Sequence, residues 1–153
     1  MRVQYGRSFA AVERPLAFLC ALLVAGALTF TPAAAQAPLK MVVLGDSLSA
    51  GLGLTGPQAY PAKLQKALQD KGIAVEMINA GVSGDTSSGG LDRLDWSIPA
   101  GTQAVIVELG ANDALRGLDP KLTRRALEQI VTKLKARNIA VLLAGMPSSL
   151  RSQ

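Results

Sequence analysis

Ser47 lies in a short polar run, Gly45-Asp46-Ser47-Leu48-Ser49, that directly follows an apolar one. Two more runs of the same kind occur: Gly81-Val82-Ser83-Gly84-Asp85-Thr86-Ser87 follows an apolar segment, and Gly110-Ala111-Asn112-Asp113 follows another. A serine at a strand-to-helix turn can present its hydroxyl to a carbonyl carbon. Glycines let backbone N–H groups come close to a ligand, and an asparagine amide adds a further donor. Any one of these runs alone would be an ordinary turn. Brought together, they would be a nucleophile facing an oxyanion hole, the equipment of acyl transfer. Asp46 and Asp113 stand beside these groups and are predicted to order the loops as acceptors, not to act as catalysts.

What would bring the runs together is the alternation of elements. Residues 39–44, 74–78, 104–109 and 140–144 are near-continuous aliphatic and β-branched stretches, the pattern of strands buried on both faces. Between the first two, Pro61 opens a helix with Leu64, Ala67 and Leu68 at i, i+3 and i+4, and Gly72 is placed to end it. Between the last two, Asp119 and Pro120 start a longer helix with a stripe of Leu127, Ile130, Val131 and Leu134. Lys133, Lys135 and Arg137 complement the negative end of its dipole, and Asn138 can close it in the left-handed conformation. A short helix over residues 89–95 is predicted between the second and third strands. Strand and helix in regular succession imply an α/β protein with a parallel sheet in three layers. Loops leaving the carboxyl ends of such strands share one edge, where ligands bind.

The 153-residue sequence contains no His and one Cys, so zinc sites built on His or paired Cys, disulfide frameworks and Cys-His pairs are set aside, and no cofactor or metal is expected. The first 35 residues read as an export signal: Arg2, Arg7 and Arg14 precede an apolar run over 16–30, and Ala33, Ala34 and Ala35 offer a small-residue cleavage site. That run is short for a membrane span, which needs about 20 apolar residues, so no stable span is expected after cleavage. Leu19 before Cys20 does not suit a lipoprotein signal. Residues 1–35 and 36–153 are thus read as leader and domain, and the mature protein as periplasmic or secreted. Loss of the leader takes the formal charge from +5 to +3. Lys63, Lys66, Lys71, Arg93, Arg124, Arg125, Lys133 and Lys135 are scattered without aromatic interleaving, as on solvated helix faces, and no nucleic-acid partner is expected.

In order and wording, these runs resemble the GDSL or SGNH hydrolase family over about residues 40–147. Leu44-Gly45-Asp46-Ser47-Leu48-Ser49-Ala50-Gly51 resembles the block that carries the nucleophile, which implies that role for Ser47. Ala80-Gly81-Val82-Ser83-Gly84-Asp85-Thr86 resembles the second block, implying Gly84 N–H as an oxyanion donor. Val107-Glu108-Leu109-Gly110-Ala111-Asn112-Asp113 resembles the third, implying the Asn112 amide in the same hole. The wording is similar to the exported branch of arylesterases, thioesterases and lysophospholipases. The resemblance therefore implies a flavodoxin-like three-layer fold and a small-molecule or lipid ester as substrate.

The family pattern also carries a D-x-x-H block near its C-terminus, after a fifth strand, and this sequence ends before one. With no histidine, Ser47 lacks the base that would take its proton, and no Lys lies near the three loops to replace it. The expectation is an incomplete domain without its last strand and C-terminal helices, with apolar sheet surface uncovered and little or no turnover. A non-catalytic remnant that binds acyl ligands is the alternative. The polar tail Ser148-Ser149-Leu150-Arg151-Ser152-Gln153 is what a shortened or frameshifted reading frame would give. Gly51, Gly53 and Gly56 match G-x-G-x-x-G, the dinucleotide fingerprint, but six residues separate it from the strand end and Pro57 follows. The G-x-S-x-G elbow of α/β-hydrolases fails at Ser49. The segment Gln58-Ala59-Tyr60 either lines an acyl site or packs on the first helix.

Overall fold

A computed structural model describes residues 37–145, all within the unit Gln36–Gln153; the predicted leader and the terminal polar tail lie outside the described residues. Four strands form one parallel sheet in the order β2-β1-β3-β4: β1 is Leu39–Gly45, β2 Val75–Gly81, β3 Ala104–Glu108 and β4 Ala140–Leu143. This order gives the first four places of the flavodoxin-like arrangement 2-1-3-4-5. Register is continuous across the centre, with Val43 opposite both Asn79 and Ile106, and Gly45 opposite both Gly81 and Glu108.

Side-chain alternation along β1 and β3 sorts the core. Val42, Leu44, Val105 and Val107 share one face and pack with Leu94, Ile98, Ile130 and Leu134 from the helices above it. These helices are α3 (Ser87–Asp92), α4 (Leu94–Ser97) and α6 (Pro120–Ala136). The opposite face takes Val43 and Ile106, and there α2 (Tyr60–Asp70) begins; it lies against β2, where the Gln65 carboxamide oxygen accepts from Met77 N at 2.7 Å. The remaining two helices are single turns at the carboxyl edge, α1 (Ser47–Ala50) and α5 (Ala111–Leu115).

Local signals set most boundaries. Pro61 occupies the first turn of α2, and Gly72 follows its end at φ +78°. The Asp119 side chain caps α6 by accepting from Lys121 N at 2.9 Å, Pro120 sits at its first position, and Asn138 closes it at φ +58°. Three expectations need correction. β2 runs on to Gly81, because residues 79–81 pair in register with 43–45 although Asn, Ala and Gly have little strand propensity themselves. The helix expected over 89–95 is two pieces broken at Arg93, the first capped by the Thr86 hydroxyl, which accepts from Gly89 N. Only β1 and β3 are buried on both faces; β2 and β4 are edges, and Leu142 and Leu143 of β4 are 62% and 50% exposed. No helix among the described residues is long and apolar enough to cross a membrane.

Candidate active site

In the order β2-β1-β3-β4 the chain leaves β1 toward one side and returns to pair β3 on the other. The crevice of such a sheet lies at this switch point, beyond the carboxyl ends of β1 and β3. The predicted residues gather there. Ser47 is the first residue of α1, just past β1; Gly84 lies in the loop from β2 to α3; Asn112 is the second residue of α5, just past β3. All three are half-buried.

The Asn112 amide links the three loops. Its Nδ2 donates to Asp46 Oδ2 at 3.1 Å, next to Ser47, and to the Asp85 carbonyl oxygen at 2.9 Å, next to Gly84. Asp46 is almost fully buried, and its other oxygen caps α1 by accepting from Leu48 N at 3.0 Å. Gly84 adopts φ +81°, in the left-handed region that glycine enters without strain, and its carbonyl accepts from Arg116 Nη2 at 2.6 Å. Gly81 is glycine for space, because a Cβ there would collide with the Ala50 backbone. The β2 loop thereby comes close to the Ser47 turn, and Val82 N donates to the Gly45 carbonyl at 3.0 Å.

Both aspartates are loop-ordering acceptors, as the sequence suggests. Buried Asp113 accepts from Ser87 N at 2.8 Å, from the Ser87 hydroxyl, and from Thr123 Oγ1 at 2.9 Å, tying the loops after β2 and β3 to α6. Burial pushes its carboxyl up, but the Ser87 and Thr123 donors outweigh this and hold it below the usual carboxylate range.

Arg93 overturns the reading of a solvated helix face. It is 6% exposed; its guanidinium donates to Asp85 Oδ2 at 2.7 Å, the Ala80 carbonyl at 2.8 Å, the Gly45 carbonyl at 3.0 Å and Ser97 Oγ at 3.1 Å. One cation thus holds the ends of β1 and β2 and the loop carrying Gly84. Its signal in the sequence was position: it lies between Leu91 and Leu94, both turned to the core.

Glu108 is the lone charged residue in the apolar strand Ala104–Glu108. It is 5% exposed, and Oε2 accepts from Ser49 Oγ at 2.8 Å, with the Tyr60 hydroxyl 3.4 Å from the same Oγ. Burial pushes its carboxyl above the usual value and the nearby Asp46 carboxylate adds to this, together outweighing the Ser49 hydroxyl and the backbone N–H groups of Asp46 and Ser49, which favour the charged form. Of residues 58–60, Gln58 is exposed and accepts from Thr55 N and Oγ1, Ala59 is buried, and Tyr60 opens α2 with its hydroxyl beside Ser49 Oγ. Gly53 stands open to solvent and a helical turn separates Gly51 from β1, an arrangement unlike a dinucleotide turn.

Comparison with known proteins gives a consistent result. Residues 43–152 match the family described as GDSL-like Lipase/Acylhydrolase. The chain is 42% identical over 128 residues to Esterase TesA of Pseudomonas aeruginosa, covering 82% of this chain and 64% of the relative. It is 44% identical over 117 residues to Thioesterase 1/protease 1/lysophospholipase L1 of Escherichia coli, covering 76% and 53%. Among solved structures, AlinE4, described as an SGNH-hydrolase family esterase, superposes with a TM-score of 0.69 at 46% identity over 71% of this chain and 59% of that one. The chain therefore spans between about half and two thirds of the length of these relatives.

Proposed function

The chain belongs to the GDSL-like lipase/acylhydrolase family, and on that premise we propose that it carries the acyl-transfer half of an ester or thioester hydrolase, with Ser47 as nucleophile. The Asn112 amide supports this most directly, since one side chain reaches both the Ser47 turn and the Gly84 turn. In the proposed reaction Ser47 Oγ attacks the carbonyl carbon of the ester, and the oxyanion is held by Gly84 N–H, Ser47 N–H and Asn112 Nδ2. Collapse expels the alcohol or thiol and leaves an acyl-Ser47, which water then hydrolyses. Both Nδ2 hydrogens of Asn112 are engaged by Asp46 and Asp85, so an arriving oxyanion has to draw one of them away, while the other bond keeps the amide in place between the two turns.

Activation is the step these residues do not supply. The sequence has no histidine, and loss of the triad base costs about 10⁶ in kcat in subtilisin. The 153-residue polypeptide is accordingly expected to hydrolyse p-nitrophenyl butyrate at background rates. Joined to the portion of the Pseudomonas aeruginosa relative that it does not span, it should gain turnover. Ser47→Ala in that chimera should abolish the activity, and Asn112→Ala should lower it by roughly 10²- to 10³-fold. Full activity of the Ser47→Ala chimera would exclude Ser47 as nucleophile. The substrate class proposed is a small or lipid carboxylic ester, and the arginines and apolar run before Ala35 support export to the periplasm or medium.

A further inference from the structure

The carboxyl of Glu108 lies beneath the nucleophile turn with no cation to pair it. The buried guanidinium nearby is committed to Asp85, Ser97 and two strand-end carbonyls, and no Lys or Arg forms an ion pair with Glu108 among the described residues. Oε2 accepts from Ser49 Oγ, whereas Oε1 is buried without a hydrogen-bond partner among the described residues. The titratable groups facing it are Asp46 and Tyr60, neither of them cationic. The space is made by Gly45, opposite in the register, where a Cβ would collide with Ser49 and come within 2.8 Å of Glu108 Oε2.

A carboxylate taken from water is tolerated when paired and fully hydrogen-bonded; without a partner the group neutralises instead. Asp46 is in the contrasting setting, accepting with both oxygens from Leu48 N and Asn112 Nδ2. Two adjacent carboxyls in unlike environments divide their roles.

We propose that Glu108 is a positioning residue of the nucleophile turn and acts as a neutral carboxylic acid, holding Ser49 and through it the single helical turn that begins at Ser47. The Ser49 carbonyl is fixed in turn by Asn79 Nδ2 at 2.7 Å, so the last part of α1 is gripped from β3 by Glu108 and from β2 by Asn79. Ionisation of Glu108 would put a second negative charge beside Asp46 and disturb the acceptor that orients Asn112. The inference rests on Ser47 being the nucleophile, but protonation and turn geometry can be read without turnover, so the two can fail separately.

The test uses the full 153-residue chain labelled with ¹³C at the glutamate carboxyls, of which there are those of Glu13, Glu76, Glu108 and Glu128. One carboxyl resonance is expected to be the last of the four to leave its protonated position as pH rises, and Glu108→Gln should remove it. The Asn112 side-chain ¹H–¹⁵N signals should move as that resonance titrates. They should keep their positions in Glu108→Gln, the neutral isostere, and be displaced in Glu108→Asp. Four glutamates titrating together in the unsubstituted chain, a measurement that needs no variant to fold, would overturn the proposal. So would equal displacement of the Asn112 signals in Glu108→Gln and Glu108→Asp.

Discussion

Arg93 and Asp85 show what single residues contribute to the site. Their side chains are 7% and 12% exposed and meet at 2.7 Å, so removal of one leaves the other charged, buried and unpaired. Asp85→Ala is expected to cost about 3–5 kcal/mol in urea unfolding, well above the effect of a surface ion pair. The exposed pair Lys66–Asp70 provides the contrast, with at most ~1 kcal/mol expected on its removal. Asp113 predicts a pH dependence. Its folded carboxyl lies below the ordinary value, so its stabilisation is fully present above about pH 4 and fades as pH falls through the folded value. Asp113→Asn should flatten the acid side of a melting-temperature profile; an unchanged acid limb would count against this linkage. The loops that carry Ser47, Gly84 and Asn112 were legible as neighbours because each follows an apolar run, whereas the separate roles proposed for the three residues come from the family resemblance. Arg93 and Glu108 were not legible, because the pattern for a charged residue predicts solvent until the neighbours that surround it are known.

For elements, the helices were the most readable and the strand ends the least. α6 carries its own start and stop, an Asp119 cap, Pro120 and Asn138, together with a stripe that places Ile130 and Leu134 at zero exposure. These signals differ in weight. Asp119→Ala removes one capping bond and should cost ~1 kcal/mol. Ile130→Ala opens a cavity between α6 and the sheet and should cost about 2–5 kcal/mol, which chemical denaturation of both variants would measure. A larger loss for the cap would mean that α6 is held by its end instead of its face. Residues 79–81 were legible only as a loop, since their strand state comes from pairing with β1 36 positions earlier in the chain, Gly81 opposite Gly45. Local propensity carries no information on such a partner.

In the whole molecule, the alternation of strands and helices placed the three loops at the carboxyl edge of the sheet, and only the strand order β2-β1-β3-β4 puts them at its switch point. What the sequence left open was which strands would be edges. β4 is one, with Leu142 and Leu143 largely exposed, and Leu143 also lines a groove of about 620 Å³ with Leu118, Leu127 and Val131. An exposed apolar edge strand is a template for pairing with another chain. The 153-residue polypeptide is expected to self-associate with rising concentration in light scattering, and Leu142→Lys to suppress this; equal association in both would place the sticky surface elsewhere. The bonds that assemble the candidate site also have a common character. Asn112 to Asp46, Ser49 to Glu108 and Arg93 to Gly45 span 66, 59 and 48 positions of chain. Contacts so distant in sequence form only after loop closure has been won by the sheet, so the site should be among the last parts of the protein to take shape during folding. A peptide carrying any one of the three motifs would have its residues and none of its geometry.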